Sequence, residues 1–365
     1  MTDRVVNFAA GPATLPLSVL EEARRDLLCL PGVGASPLEV SHRSPWFEGV
    51  IGEAEANLRL LLGIPETYRV LFVQGGATLQ FSMVAMNLLR GPSGPAGYVL
   101  TGSWGGKALA EAATQGPTRV LWDGGADGYV RVPGPAEVEE AAAAPYVHIT
   151  ANETVHGVEW PPGAEPATDA PLVCDASSDL LSRPLDISRY GLLYAGAQKN
   201  AGPAGVTVVV VHDDLLAGVP DGLPGMLDYR TYSDHGSMYN TPPVFAIYVL
   251  LLVTRWLRDD VGGLDVQFRI NREKAALLYD EIDRSGGFYR GHAQPGSRSL
   301  MNVTYRLPTA ELERIFVREA AGNGLIELKG HRSVGGIRAS IYNAMPLEGV
   351  GILAAFMRDF AQRNG

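Results

Sequence analysis

Seven short apolar runs, alternating with helix-patterned segments, constrain the fold more than any other feature of this sequence. The segments GATLQFSMVAMNLL and SWGGKALAEAATQ lie between the first three runs and have the apolar spacing of helices. This alternation predicts an α/β fold with a mainly parallel seven-stranded sheet and helices on both faces. Ligands of such sheets bind at the carboxyl ends of the strands. The runs are RVLFV (69–73), YVLTG (98–102), RVLW (119–122), YVHIT (146–150), PLVCD (171–175), GLLYA (191–195) and VTVVVV (206–211).

The pattern changes after residue 241, where a long helical region extends to about residue 284. Two strand candidates follow, LMNVTYRL (300–307) and IRASIY (337–342), together with helix candidates over 309–321 and 347–363. A chain of 365 residues exceeds the usual size of a single core, which favours two domains. We therefore predict an N-terminal arm (1–16) that contributes to the small domain or the substrate site, a large domain (17–260) and a small C-terminal α/β domain (261–365).

Charge and composition exclude several classes of protein. The net charge of −10 argues against a nucleic-acid partner. Cys29 and Cys174 are the only cysteines and lack CxxC spacing, so neither a disulfide framework nor a metal site is expected. The N-terminus has no apolar signal segment, and the longest apolar run, 244–253, is far shorter than the ~20 residues of a membrane helix. We expect a cytoplasmic protein without a membrane partner.

Lys199 stands out because it lies among alanines, glycines and a proline in YAGAQKNAGPAG. Small neighbours allow a bulky group to approach the backbone closely. Partial burial lowers the pKa of a lysine and so increases the fraction of neutral amine, which is the nucleophilic form. We therefore expect Lys199 to form a covalent bond with a ligand.

Three further features lie near predicted strand ends. The turn in VQGGATLQF offers free N–H groups at a helix start, where Thr78 could add a hydroxyl to a phosphate site. Trp104 could stack on a flat ring, and Asp175 could hold a protonated ring nitrogen. Taken singly, Trp104 is better explained by core packing and Asp175 by capping of the following turn, and glycine turns between strands and helices are common. Together with Lys199 they are the parts that pyridoxal 5′-phosphate (PLP) requires.

Two loops carry groups that bind anions. VSHRSPWF contains His42 and Arg43, and GHRSVGGIRASIYNAMP contains His331, Arg332 and Arg338. The planar guanidinium of arginine binds carboxylate or phosphate with two hydrogen bonds, so these loops suit a substrate that carries both groups. For any one of these arginines alone, a surface salt bridge is the simpler explanation.

Over essentially its whole length, the chain resembles the phosphoserine aminotransferase family of fold-type I (class V) PLP enzymes. The stretches that carry the resemblance are NFAAGPATLP, EVSHRS, FVQGGATLQFSMVAMNLL, ANETVHGVEW, DASSDLLSRPLDISRYGLLYAGAQKNAGPAGVTVVVV, GSMYNTPP and GHRSVGGIRASIYNAMPLEG. The resemblance implies transamination between L-glutamate and 3-phosphohydroxypyruvate in serine biosynthesis. Activity on the four-carbon 4-phosphohydroxythreonine of pyridoxine biosynthesis stays open.

The resemblance also implies roles for individual residues. Lys199 would bind the PLP aldehyde, Trp104 would stack on its ring, Asp175 would pair with its nitrogen and Thr154 would bind its hydroxyl. Arg338 would bind the α-carboxylate of the substrate. The cofactor phosphate would be bound by Ala77, Thr78 and Gln198 and, from the second subunit of a homodimer, by Asn240 and Thr241. The distal phosphate of the substrate, or the side-chain carboxylate of glutamate, would be bound by His42, Arg43, His331 and Arg332.

The chain departs from the family pattern at two places. Many relatives have glycine and arginine where this chain has Ala77 and Thr78, and serines where it has Ala9 and Ala10. Other fold-type I enzymes, a cysteine desulfurase or an alanine–glyoxylate aminotransferase, are alternatives. Neither cysteine is placed as a desulfurase nucleophile, however, and a glyoxylate substrate would leave the extra cations without an anion. A non-catalytic protein that binds a phosphorylated metabolite is an alternative of another class.

Overall fold

The computed structural model describes residues 4–89, 94–141 and 143–365. Residues 1–3 of the predicted arm, and residues 90–93 and 142 of the predicted large domain, lie outside the described residues. The strands are β1 Val6–Asn7, β2 Tyr68–Val73, β3 Ala96–Leu100, β4 Thr118–Asp123, β5 Val147–Thr150, β6 Asn152–Glu153, β7 Val158–Glu159, β8 Leu172–Asp175, β9 Leu192–Gly196, β10 Thr207–His212, β11 Arg290–Gly291, β12 Asn302–Arg306, β13 Leu325–Ile326 and β14 Ile337–Ser340. The helices are α1 Leu17–Asp26, α2 Pro45–Leu62, α3 Gly76–Leu88, α4 Ser103–Ala112, α5 Asp213–Ala217, α6 Tyr229–Asp234, α7 Val244–Arg255, α8 Leu264–Arg284, α9 Ala310–Gly322 and α10 Leu347–Asn364.

A seven-stranded sheet with the order β2-β10-β9-β8-β5-β3-β4 forms the centre of the molecule. Its strands are the seven apolar runs of the sequence. Strand β10 runs antiparallel to both of its neighbours, β2 and β9, whereas the other pairings are parallel. The prediction of a mainly parallel α/β sheet is confirmed, with this one strand reversed.

The two faces of the sheet are buried in separate apolar cores. Alternate residues of β10 show the division, because Val208 and Val210 belong to one core and Val209 and Val211 to the other. Helices α2 and α7 cover the first face, and α3 and α4 cover the second. Burial on both sides explains why these strands are almost continuously apolar.

Helix α7 is the longest apolar run of the sequence, and every residue from Ala246 to Thr254 is buried. It packs against α2 and the sheet, and a single π-helical segment, Trp256–Val261, continues it. Among the described residues, no helix combines the length and apolar character that crossing a bilayer requires.

A further core lies around the sheet β11-β12-β14 and helices α8, α9 and α10. Phe8 of the N-terminal arm is fully buried in it, and β1 of the same arm pairs with β13. Helix α8 joins the cores, because Leu264 at its start packs in the first and Leu278 in the second. The boundary at residues 260–261 stays a prediction.

Candidate active site

Four neighbouring strands end at one edge of the central sheet, and each is followed by a predicted site residue. Asp175 is the last residue of β8, and Lys199 lies in the turn after β9. Thr154 follows the short strand β6 after β5, and Trp104 lies in the first turn of α4 after β3. Since β9, β8, β5 and β3 are parallel neighbours, their carboxyl ends meet. These four residues form what we call the lysine cradle.

The amine of Lys199 lies within the cradle rather than in solvent. Its Nζ donates a hydrogen bond to Thr154 Oγ1 at 2.6 Å and lies 5.7 Å from the centroid of the Trp104 ring. Burial lowers the pKa of Lys199 to about 8, although the charges of Asp175 and Glu153 oppose the shift. A substantial fraction of neutral amine is therefore present near neutral pH.

Small residues beside Lys199 make room for the N-terminal arm and for Gln198. Gly11 has φ +142°, and a Cβ there would lie 3.4 Å from Lys199 Cγ. A Cβ at Gly196 would lie 2.7 Å from Gln198 Oε1. The arm is held in place because the N–H of Ala13 donates to the Gln198 carbonyl at 2.9 Å. Gly196 in the run of small residues therefore leaves space for the side chain of Gln198, the residue before Lys199.

Asp175 is buried, and its Oδ1 accepts a hydrogen bond from the backbone N–H of Ser177 at 3.0 Å. Burial raises the pKa of Asp175, because the charged form is poorly solvated. A cationic group bound against this carboxylate would favour the ionised form again. The position therefore suits a protonated ring nitrogen.

Trp104 is held by its backbone and leaves its indole free for a ligand. Its Nε1 is buried and has no hydrogen-bond partner in the described part of the chain. Its backbone N–H donates to both carboxylate oxygens of Glu153, at 3.2 and 3.1 Å. The ammonium of Lys107, one helical turn away, lies 4.0 Å from the ring centroid. Neither Glu153 nor Lys107 was predicted from the sequence as a site residue.

The turn after β2 has the geometry of an anion site. Helix α3 begins after Gly75, which has φ +91° and provides no side chain to cap the first N–H groups. Ala77 is partly buried and Thr78 is exposed in the first turn. Gln74 Nε2, directly before the turn, donates to the carbonyl of Thr241 in the same chain at 3.3 Å. Asn240 beside it is partly buried.

Arg338, on β14, is partly buried, and its Nε is buried without a partner among the described residues. Burial lowers the pKa of Arg338. Its charge contributes to the lowered pKa of Lys199, which places the guanidinium near the lysine cradle. An arginine partly removed from water, with no ion pair among residues 4–89, 94–141 and 143–365, is suited to a carboxylate ligand.

His331 and Arg332 lie in the loop that leads into β14; we call residues 330–338 the anion loop. The loop closes on itself, because the N–H of Gly330 donates to the Gly336 carbonyl at 2.8 Å. A Cβ at Gly330 would lie 2.0 Å from the Gly335 carbonyl oxygen, so only glycine fits. Arg332 is exposed. Burial lowers the pKa of His331, and the charges of Arg338, Lys107 and Arg332 lower it further.

A small cavity of about 10 Å³, enough for one water molecule, lies beside the anion loop. His331, Arg338 and His292 all line it. His292 also contacts His156, with ring centroids 5.5 Å apart. No pattern in the sequence singled out His292, because it lies 39 residues before His331, in the segment before β12.

His42 and Arg43 lie in the turn before α2, apart from the other candidates. Arg43 is exposed, and His42 Nε2 is buried without a partner in the described residues. In that same part of the chain, neither side chain has a hydrogen bond or ion pair with the lysine cradle or the anion loop. The bonds of the described residues therefore do not connect these two residues with the other substrate groups.

The arrangement fits PLP. A partly buried amine, a buried carboxylate and an indole with a free Nε1 surround one space at the strand ends. An uncapped helix start with an exposed hydroxyl lies at the end of β2, which points the same way as the other parallel strands. These groups match the aldehyde, ring nitrogen, ring face and phosphate of that cofactor.

Comparisons with known proteins agree with this geometry. The family model described as aminotransferase class-V matches residues 5–353. The chain is 54% identical to the phosphoserine aminotransferase of Rhodopirellula baltica, over 99% of this chain and 96% of that protein. It is similar to the solved structure of phosphoserine aminotransferase from Bacillus circulans subsp. alkalophilus, with a TM-score of 0.96, 49% identity and 100% coverage of both chains. The PLP-bound phosphoserine aminotransferase of Trichomonas vaginalis gives a TM-score of 0.91 at 36% identity, covering 97% of this chain and all of that one.

Proposed function

This chain belongs to the class-V aminotransferase family, and from that premise we propose that it transfers the amino group of L-glutamate to 3-phosphohydroxypyruvate. The products are 2-oxoglutarate and O-phospho-L-serine, and the reaction is a reversible PLP-dependent transamination that serves serine biosynthesis. The observation that carries the proposal is the lysine cradle with the unpaired guanidinium of Arg338 beside it.

PLP supplies an aldehyde that condenses with amines and a ring that takes up negative charge from the reacting carbon. In our proposal Asp175 holds the ring nitrogen, Trp104 contacts the ring face and Thr154 binds the ring hydroxyl. Ala77 and Thr78 hold the phosphate through the N–H groups of the helix start, and Gln198 contributes its amide. Because this site lacks a side-chain cation in the turn, we expect its phosphate affinity to depend on the helix start.

Lys199 moves the proton. In its neutral form the amine would accept the proton from the Cα of glutamate. As an ammonium it would then pass that proton to the aldehyde carbon of PLP. A pKa of about 8 suits both directions near neutral pH, since neither form is rare. Before PLP binds, Thr154 Oγ1 accepts a hydrogen bond from the amine and fixes its position.

Arg338 binds the α-carboxylate that both substrates share. His331 and Arg332 bind the group in which the substrates differ, the phosphate of one and the side-chain carboxylate of the other. Those two anions occupy the site in turn, which suits partly or fully exposed cations better than a rigid buried pair. We propose that His42 and Arg43 serve the same distal group.

The cysteines argue against a desulfurase. Cys174 is buried within β8, and burial raises its pKa well above the usual range, so its thiolate is scarce. Cys29 is exposed after α1. A glyoxylate substrate would leave the cations of the anion loop without an anion to bind. A non-catalytic binding protein would have no use for an amine with a lowered pKa.

The experiment that tests the proposal measures acceptor choice. Purified PLP-loaded protein is mixed with glutamate and, separately, with 3-phosphohydroxypyruvate, pyruvate or glyoxylate, and 2-oxoglutarate formation is followed. We expect kcat/KM for the phosphorylated acceptor to be at least about 100-fold higher, as two or three lost charge-assisted hydrogen bonds would give. Equal turnover of all three acceptors would overturn the substrate assignment.

We also propose that the protein acts in the cytoplasm as a homodimer with shared active sites. Seven of the exposed large apolar side chains lie between residues 17 and 60, and Tyr239, beside Asn240, is 53% exposed. Clustered exposed apolar residues are typical of interaction surfaces. Asn240 and Thr241 would reach the phosphate of the partner's cofactor, and His42 and Arg43, isolated in the single chain, would act across the same interface.

Mixing two defective variants tests the shared site. Lys199→Ala lacks the amine, and the double variant Asn240→Ala, Thr241→Val lacks the contributed phosphate contacts. A mixed dimer would contain one site with an intact lysine and intact contacts from the other subunit. We expect reassociated mixtures to regain activity above that of either parent; no gain in a mixture shown to contain mixed dimers would contradict sharing.

A further inference from the structure

Glu153 is a completely buried carboxylate that points at the start of α4. It accepts hydrogen bonds from the backbone N–H of Trp104 at 3.2 and 3.1 Å and from that of Gly105 at 2.9 Å. Gly102, which precedes the helix, provides no side-chain cap. A carboxylate at a helix N-terminus stabilises the unpaired N–H groups and the helix dipole. Glu153, on a different strand, therefore caps α4.

The fit around this carboxylate is close. A Cβ at Gly102 would lie 2.4 Å from the Glu153 carboxyl carbon, so a larger residue there would push the carboxylate away. Glu153 also immediately precedes Thr154, which binds the Lys199 amine. Glu153, in β6, thus holds the backbone of Trp104. Thr154, the next residue, holds the amine of Lys199.

The charges that act on Glu153 belong to two cradle residues, Asp175 and Lys199. Burial raises the pKa of Glu153 to about 7, the N–H groups of Gly105 and Trp104 lower it, and the charges of Asp175 and Lys199 act in opposite directions. Tyr129 is the other titratable group that its charge affects. In return, the Glu153 charge favours the ammonium form of Lys199.

We propose that Glu153 is a positioning residue of this aminotransferase: its carboxylate fixes the first turn of α4, and with it the Trp104 indole, against the PLP ring. The inference rests on PLP occupying the cradle but not on the identity of the acceptor substrate. The effect through the indole can be measured separately from the effect of the Glu153 charge on the pKa of Lys199.

The first test measures PLP affinity of the apoprotein for the parent protein, Glu153→Gln, Trp104→Ala and the double variant. Loss of a charge-assisted cap should raise the PLP dissociation constant of Glu153→Gln about tenfold. If Glu153 acts through the indole, the same change in the Trp104→Ala background should cost less than about threefold. Equal costs in both backgrounds would refute the positioning role. Glu111→Gln, on the exposed side of the same helix, is the matched control and should bind PLP like the parent.

The second test separates the charge from the cap. The rate of PLP association with the apoprotein, measured against pH, reports the neutral fraction of Lys199. Because the Glu153 charge raises the pKa of Lys199, Glu153→Gln should move the midpoint of this profile to lower pH, whereas Glu153→Asp should keep the charge and leave the midpoint near that of the parent. A residue that merely capped the helix would lower the melting temperature without moving the midpoint. An unshifted midpoint in Glu153→Gln would overturn the charge effect. If Glu153→Gln does not fold, Glu153→Asp replaces it in the affinity test, because the shorter side chain should hold the start of α4 less well. Parental PLP affinity in Glu153→Asp would then overturn the positioning role.

Discussion

The lysine cradle and the anion loop are neighbours, yet they are built in opposite ways. Asp175, Thr154 and Glu153 in and around the cradle are buried, and each has a hydrogen-bond partner in a turn or helix start that follows a strand of the sheet. In the anion loop Arg332 is exposed, and the Nε of Arg338 has no partner in the described part of the chain.

In our proposal, the difference follows from what each region binds. A cofactor stays in place through many turnovers, so a dry, rigid site tunes the pKa values of its groups and holds one geometry. Two substrates with different distal anions enter and leave in every cycle, so cations left without internal partners keep their hydrogen bonds for whichever anion is present. Buried groups should therefore control the chemical step, and exposed groups should control substrate affinity.

The largest expected effect is that of Lys199→Ala. Without its amine the cradle can neither bind the PLP aldehyde nor move the Cα proton, and we expect kcat to fall at least about 10³-fold. Borohydride should fix PLP to the parent protein and not to the variant. The matched control is Lys329→Ala, which removes an exposed lysine and should leave kcat unchanged. A Lys199→Ala variant that retains borohydride fixation would disprove the assignment.

Asp175→Asn should come next, with kcat lower by about 10²-fold because an amide cannot keep the ring nitrogen protonated. The change should also affect the melting temperatures of the PLP-free and the PLP-bound protein in different ways. Burial raises the Asp175 pKa without the cofactor, so the neutral amide should leave the melting temperature of the apoprotein unchanged or higher. The melting temperature of the PLP-loaded variant should fall. A loaded variant as stable and as active as the parent would count against the ring-nitrogen contact.

Arg338→Ala tests the last residue of the anion loop, which is partly buried. Loss of a partly desolvated pair with the α-carboxylate should cost about 2–3 kcal/mol in kcat/KM. Because both substrates carry that carboxylate, single-turnover experiments should show similar losses in the two half-reactions, and Arg338→Lys should recover part of the loss. A deficit confined to one half-reaction would show that Arg338 binds the distal group instead.

The sequence predicted the strands of the central sheet more completely than the contacts between distant segments of the chain. All seven strands of the sheet were visible because runs such as VTVVVV must be buried on both faces. The reversed direction of β10 was not, although residues 197–206 form a connection too short for a parallel crossover.

Glu153 escaped prediction for a different reason. Its partner Trp104 is 49 residues away, and a glutamate in a polar stretch is ordinarily exposed. Its role is visible only in the structure, where Glu153 of β6 contacts the start of α4. The local motif around Lys199 was readable because the lysine and the small residues that accommodate it are adjacent in sequence.

Arg332→Ala is expected to have the smallest effect and gives the sharpest test of the contrast between buried and exposed groups. An exposed guanidinium facing a phosphate contributes about 0.5–1 kcal/mol and is screened by salt. We expect KM for 3-phosphohydroxypyruvate to rise about three- to fivefold at low ionic strength, with kcat unchanged and the difference from the parent shrinking at 0.5 M salt. Arg314→Ala, which removes an exposed arginine of α9 that pairs with Glu311, is the control and should leave KM unchanged at either salt concentration. A fall in kcat that salt does not alter would mean that Arg332 enters the chemical step, and the division between buried groups for chemistry and exposed groups for affinity would then be wrong.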